Sequence, residues 1–591
     1  MKEFFKYMFA SMLGFILVMV VLFFVSIGII ASLITFTEKE TFVPDPNSVL
    51  HITLTKEVYD RAPKDPFNIF SPTGFDLEQN PGLNEILKMI NRAKTDENIK
   101  GIFLDLSIVP SGLSIIREIR MALQDFKSSG KFIIAYGEVY AQGAYYLATV
   151  ADKVYLHPSG AIDFRGFSAN LFFLKGTLDK LDIKMQVIRH GKFKSAVEPF
   201  ITDKMSDANR EQMTTMVSGM WSTILDDISA SRNIDKVNLN QLADKLDAFD
   251  PDKALAANLV DGLMYKDELM AALREKLGIA SDAKIKTVSL SQYAMAADPA
   301  DEKAGTDRIA VIYAIGQIMD GKGDDLTIGS ERISEAIRKA RENDKVKAIV
   351  IRVNSPGGSA LASEVIRREV VLAKEKKPVI VSMGDVAASG GYWISASATK
   401  ILADPTTLTG SIGVFGLIPD MKGFFENKLG ITFDHANTNK FSDFPNISRP
   451  MTDYEIVVMQ RQIESIYSDF LKLVSEGRNI DISQVDSIGQ GRVWNGLDAR
   501  RLGLIDGFGG LKDAIALAAE TAGITDYYIW SLPAQKDTWQ QLIEQLTGAD
   551  KSTSARIRAE LGEYYTYYQY LKEISESSGI QARLPYDIKV Q

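Results

Sequence analysis

The chain has 591 residues, 46% of them hydrophobic and 24% charged, which is enough apolar material for more than one core when a domain takes roughly 100–200 residues. A formal net charge of −9 and a pI near 5.3 give no basic footprint, so nucleic acid is excluded as a partner on electrostatic grounds. The chain contains no cysteine, which excludes thiol catalysis, disulfides and thiolate metal sites together.

In chain order the first element is residues 9–36, FASMLGFILVMVVLFFVSIGIIASLITF, 28 residues without a charge. A bilayer core needs about 20 such residues, and the apolar part of a cleavable signal peptide is only about 7–15 long. The run therefore reads as an uncleaved transmembrane helix. Lys2 and Lys6 precede it and Glu38-Lys39-Glu40 follow, so the positive-inside rule leaves residues 1–8 in the cytoplasm and exports the rest.

Beyond a Pro-containing stretch, Val49-Leu50-His51-Ile52-Thr53-Leu54 reads as a strand. A helix follows with apolar residues at helical spacing (Ile86, Leu87, Ile90), then a short apolar run, Ile102-Phe103-Leu104, and after a second helix the run Phe132-Ile133-Ile134-Ala135. The same series returns later as Ile309-Ala310-Val311-Ile312-Tyr313, Ile333 with Ile337, Ala348-Ile349-Val350-Ile351 and Val379-Ile380-Val381. Strands separated by single helices predict an α/β fold with a largely parallel sheet under helices.

The return is a duplication. Residues 84–176 fall on 331–423 with a constant shift of 247, and Gly137-Glu138-Val139-Tyr140-Ala141-Gln142-Gly143 lands on Gly384-Asp385-Val386-Ala387-Ala388-Ser389-Gly390. With one residue inserted, Gly191-Lys192-Phe193-Lys194 lands on Asn439-Lys440-Phe441-Ser442, and further on Arg232-Asn233-Ile234-Asp235 repeats as Arg478-Asn479-Ile480-Asp481. Two copies at this period are duplicated domains rather than a solenoid. The expected organisation is a repeat over 45–295, a linker near 291–306 containing Asp298-Pro299-Ala300-Asp301-Glu302, and a second repeat over 307–545. A tail over 546–591 follows, helical from Ser552 and rich in tyrosine (Tyr564, Tyr565, Tyr567, Tyr568, Tyr570).

The copies differ where chemistry is to be expected. Ser389 stands at a strand-to-helix turn, a position exposed at the end of a sheet, and the N–H of Gly390 belongs to a first helical turn whose amides are unpaired. Asn354-Ser355-Pro356-Gly357-Gly358-Ser359 follows the preceding strand, and its paired glycines can bring a second N–H to a developing oxyanion. In the first copy Gln142 replaces Ser389, and Pro110, which has no N–H, replaces Gly357. Serine needs a base. None of the four histidines, His51, His157, His190 and His435, lies in a strong catalytic pattern. A lysine serves if burial lowers its pKa from about 10.4 toward 7–8. Lys192 has a counterpart in Lys440, whereas Lys194 faces Ser442; the base should be the one that differs, Lys194.

These segments, together with Thr409-Gly410-Ser411-Ile412-Gly413, Lys194-Ser195-Ala196-Val197-Glu198-Pro199-Phe200 and Gly491-Arg492-Val493-Trp494-Asn495-Gly496, resemble the long, tandem-repeat bacterial type of the signal peptide peptidase A family, membrane-anchored serine proteases of the ClpP/crotonase superfamily. The resemblance covers essentially the whole chain. It implies two tandem ClpP/crotonase-like domains after one N-terminal transmembrane helix, with Ser389 as nucleophile, Lys194 as general base and Ser411, whose counterpart is Phe164, orienting the lysine. It further implies oxyanion donors at Gly390 and at Gly357 or Gly358, no metal or other cofactor, and a homotetramer. Its implied substrates are signal peptides and other apolar peptides, and its implied location is the bacterial inner membrane, with the catalytic domains on the periplasmic side. Acyl-CoA enzymes share this fold type, but they would need neither Ser389 nor Lys194.

Overall fold

The computed structural model describes residues 2–35, 42–62, 81–296, 306–535 and 580–583. The expected linker segment 298–302 and the tyrosines Tyr564 to Tyr570 lie outside the described residues. A helix spans Lys2–Thr35. Its side chains are described at residues 3 and 4, over 6–22 and at residue 25, short of the whole uncharged run, and among the described residues no helix is long and apolar enough to cross a membrane.

Each repeat is built on a largely parallel sheet, and six strands follow the same order in both; the second sheet also carries Leu408–Gly410, parallel to Val379–Ala388, and Val493–Asn495, antiparallel to Leu408–Gly410. In the first the order is Gly262–Leu263, Lys153–Ile162, Phe132–Tyr140, Ile99–Asp105, Ser48–Ile52, Thr287–Ser289. In the second it is Gly507–Phe508, Lys400–Ala403, Val379–Ala388, Val346–Ser355, Arg308–Ile315, Tyr528–Leu532. All of these neighbours pair in parallel. Parallel strands need covering on both faces and so read as unbroken apolar runs; Ile309 to Ile312 and Val379 to Val381 are accordingly wholly buried. Helices such as Leu83–Thr95, which buries Ile86, Leu87 and Ile90, supply the cover.

A third sheet joins the repeats. Its order is Thr327–Gly329, Gln317–Met319, Gly357–Ser359, Ile580–Arg583, Phe415–Asp420, Lys184–Arg189. The last strand belongs to the first repeat and pairs antiparallel with the second along its full length, from Phe415 opposite Arg189 to Asp420 opposite Lys184. The strand Ile580–Arg583 comes from the tail, whose described part is thus extended where a helix was expected.

Buried charges lock the repeats further. Arg352, fully buried in the second repeat, reaches Asp60 and Glu118 of the first at 2.6 Å each. The second oxygen of Glu118 accepts from the Leu511 N–H at 2.7 Å, and that of Asp60 accepts from the Asn354 amide at 2.7 Å. Asp385 accepts from the Ser114 N–H at 2.8 Å, at the start of the first repeat's helix Leu113–Phe126. Burial, with the Asp60 charge adding to it, pushes the Asp385 carboxyl up to about 7. Removing one member of a buried pair strands the other. Arg352→Met is therefore expected to lower the unfolding free energy by about 3–5 kcal/mol, read as a fall in the urea midpoint.

Candidate active site

The strand Val379–Ala388 ends at Ser389, and the short helix Gly390–Ser395 begins directly after it. To make that corner Ser389 adopts φ 55 and ψ −113, a conformation that costs a non-glycine residue about 1–3 kcal/mol and persists only where the surroundings enforce it. Ser389 holds the N-cap position yet makes no side-chain cap. Its hydroxyl lies 2.9 Å from the Lys194 Nζ instead. Ser411, also at positive φ, places its Oγ 3.0 Å and its carbonyl 3.3 Å from the same nitrogen.

Lys194 arrives from the first repeat, between the joining strand Lys184–Arg189 and the turn Ser195–Val197. Three contacts across the repeats and one within the first set its height. The Phe193 N–H donates to the Gln490 carbonyl at 2.9 Å. Gln212 donates to the Ser195 Oγ at 2.8 Å and accepts from the Val493 N–H at 3.1 Å. Gly491, at φ +78, lies flat against Lys194. Lys194, Ser389 and Ser411 are each 0% exposed. Burial holds the Lys194 amine well below the ordinary lysine value, since among the described residues no carboxylate lies beside it to stabilise the ammonium. A neutral amine has two N–H groups and one lone pair, so it can donate twice to Ser411 and accept the Ser389 hydroxyl proton.

The glycine cradle lies on the other side of Ser389. Gly357 has φ 100, and a Cβ there would stand 2.1 Å from the Ala582 carbonyl oxygen and 2.7 Å from the Gly390 nitrogen, so only glycine fits. A Cβ on Gly358 would stand 1.9 Å from the Ile318 carbonyl oxygen. The Gly357 N–H donates to the Ser355 Oγ at 3.1 Å.

The first repeat's equivalent position is filled. The side-chain oxygen of Gln142, Oε1, accepts from the Arg165 and Gly166 N–H groups at 3.1 and 2.9 Å. Phe164, where the second repeat has Ser411, packs fully buried against Tyr145 and Trp221. Lys192 and Lys440 are both exposed, each over the ring of the next residue, and Ser442 is exposed and bonded to the Asn439 carbonyl. The histidines are engaged elsewhere: His190 with Glu464 and the Tyr467 ring, His51 with Asp105, His157 with the Ser159 N–H and His435 with Ser448.

Two features depart from the sequence reading. Ser389 was expected to be exposed and is wholly buried, and a tail strand that periodicity did not reveal pairs with Gly357–Ser359 of the cradle. The lock around Arg352 was also missed, although a charge inside the apolar run Ile349-Val350-Ile351-Arg352-Val353 signals a buried partner.

The model of peptidase family S49 matches residues 125–280 and again 372–525. Among curated proteins the chain is similar to Protease 4 of Salmonella typhi, 40% identical over 81% of this chain and 78% of the relative. Protease 4 of Haemophilus influenzae is 37% identical over 74% and 72%. A chloroplastic serine protease SPPA of Arabidopsis thaliana is 32% identical over 91% and 77%.

Proposed function

The chain belongs to peptidase family S49 as a serine protease with two tandem S49 domains, and from that premise we propose that it is a membrane-anchored endopeptidase that digests released signal peptides and similar apolar peptides. The observation that carries the chemistry is the 2.9 Å contact between the buried Lys194 amine and the Ser389 hydroxyl, with Ser411 holding the amine from behind.

Lys194 takes the Ser389 proton as Oγ bonds to the substrate carbonyl carbon. The oxyanion that forms is held by the Gly390 N–H and by Gly357 or Gly358, donors fixed before reaction and therefore free of reorganisation cost. The lysinium then protonates the leaving amine as the C–N bond breaks, leaving an acyl-enzyme on Ser389. Lys194 removes a proton from the incoming water, whose oxygen displaces Ser389 and releases the new carboxylate. Ser411 keeps the amine aimed at one hydroxyl throughout. Each chain has one such site, and both of its domains, of the ClpP/crotonase type, contribute to it.

The uncharged run over residues 9–36 supports an anchor, as do Phe9, Leu13 and Phe15, 58%, 72% and 66% exposed on a helix with no core to enter. With Lys2 and Lys6 on the near side, the catalytic domains would face the periplasm of a bacterial inner membrane, where cleaved signal peptides remain embedded. Support for a homotetramer comes from the duplication. The first repeat's Lys184–Arg189 pairs with the second repeat, whereas the second repeat's counterpart, around Thr432 to Asn437, forms no strand and lies in a segment with Leu429, Ile431 and Phe433 exposed. A ring of copies would cover those side chains.

The test is hydrolysis of a synthetic signal peptide in detergent by the full chain. Wild type is expected to cut it within the apolar segment, and Ser389→Ala to lose on the order of 10⁶-fold in kcat. Retention of cleavage by Ser389→Ala would sink the proposal.

A further inference from the structure

The turn Gln490–Arg492 meets both Lys194 and Ser411. The Gln490 carbonyl accepts the Phe193 N–H at 2.9 Å, and the Arg492 carbonyl accepts the Ser411 N–H at 2.7 Å. Gln490 sits at φ 53, a left-handed conformation that a non-glycine residue keeps only where its surroundings enforce it. The group that meets its N–H is Tyr467, 3% exposed on the helix Asp453–Arg478. The Tyr467 phenol oxygen accepts the Gln490 N–H at 3.2 Å and donates to Asp486 Oδ1 at 2.6 Å. The Gln490 side-chain amide donates to the same Asp486 oxygen at 2.6 Å. The face of the Tyr467 ring stacks on His190, with centroids 3.8 Å apart, four residues before Lys194. One side chain thus braces the segment 190–194 at both ends, by its ring directly and by its hydroxyl through Gln490.

The duplication contains an internal control. The offset that carries Arg232 to Arg478 also carries Trp221 to Tyr467 and Asn240 to Asp486. The bond between the two helices survives in the first copy, where the Trp221 indole N–H donates to Asn240 Oδ1 at 2.8 Å. An indole N–H only donates, whereas a phenol hydroxyl also accepts. The copy with Gln142 at its corner therefore keeps the helix-to-helix bond alone. The copy with Ser389 has, in addition, an acceptor for the turn against Lys194.

We infer that Tyr467 is a positioning residue for hydrolysis: by accepting the Gln490 N–H and packing on His190 it sets Lys194 against Ser389, and Asp486 fixes the Tyr467 hydroxyl in its turn. The inference rests on Lys194 being the base.

The experiment measures kcat and KM for a synthetic signal peptide in detergent, together with the urea midpoint, for full-length wild type, Tyr467→Phe, Asp486→Leu, Trp221→Phe and Lys194→Met. Displacing a catalytic group by about 1 Å can cost about 100-fold, and loss of one anchor with the His190 stack intact is expected to lower kcat about tenfold in Tyr467→Phe and in Asp486→Leu. KM should stay within about twofold of wild type, because the lost contact acts on the base and not on bound peptide. Trp221→Phe removes the equivalent bond from the first copy and is expected to lower the urea midpoint while keeping kcat. Wild-type kcat in Tyr467→Phe would overturn the inference whatever its midpoint, as would an equal loss of kcat in Trp221→Phe, which marks a merely structural bond. Wild-type kcat in Lys194→Met would instead overturn the reading of the base on which the inference rests.

Discussion

Replacing Lys194 with methionine is expected to abolish hydrolysis while making the protein more stable. Methionine fills the same slot without an amine, so Ser389 would lose the base proposed for it; a fall on the order of 10⁴-fold in kcat/KM is expected, the upper end of what general-base catalysis contributes. The stability gain follows from the sign of the lysine's titration. Its folded pKa lies well below the ordinary 10.5 because burial disfavours the ammonium. Between the folded value and 10.5 the unfolded chain therefore binds more protons than the folded one, and stability rises with pH across that window. Below the window the burial cost is present in full, and above 10.5 it is gone. Lys194→Met carries no such cost at any pH. Its urea midpoint should exceed that of wild type at pH 7, and the difference should narrow as pH approaches 10.5. A variant that is both inactive and less stable at pH 7 would show that Lys194 is held by charge rather than driven to neutrality.

Gly491→Ala is expected to lower kcat by about 100-fold, although residue 491 touches no substrate. A Cβ there would stand 2.6 Å from the Lys194 Cβ and 2.7 Å from its backbone nitrogen, closer than the 3.5–4.0 Å at which such atoms rest. The atoms in the way are at the root of the side chain, so Lys194 as a whole must shift. Displacing a catalytic group by about 1 Å can cost 100-fold. Alanine at φ +78 also brings backbone strain, and Gly523→Ala separates the two effects. Gly523 has φ +67 with nothing within 4 Å of an added Cβ, so that variant should lose stability and keep kcat. Equal kcat in the two variants would contradict the steric argument.

The duplication made most of this site legible. Ser389 against Gln142, Gly357 against Pro110, and Lys194 against Ser442 are differences at fixed offsets, and they point to the residues that the fold brings together. The parallel sheets were legible because buried parallel strands are unbroken apolar runs. The tail strand was not, since four residues carry no usable period and their partners lie more than 160 residues away in sequence. The choice between Gly357 and Gly358 depends on which backbone N–H turns toward the nucleophile, and residue type does not encode that. The Ser355 hydroxyl already takes the N–H of Gly357.

The most direct test of a serine activated by a buried neutral lysine from the other repeat is the pH profile of fluorophosphonate labelling, with the adduct located by mass spectrometry, in wild type, Ser389→Ala and Lys194→Met. The adduct is expected on Ser389 alone, at a rate that rises with pH and levels off well below 10.5, and it should be missing from both variants. Labelling that persists in Ser389→Ala, or wild-type labelling that climbs only through the ordinary lysine range, would contradict the account.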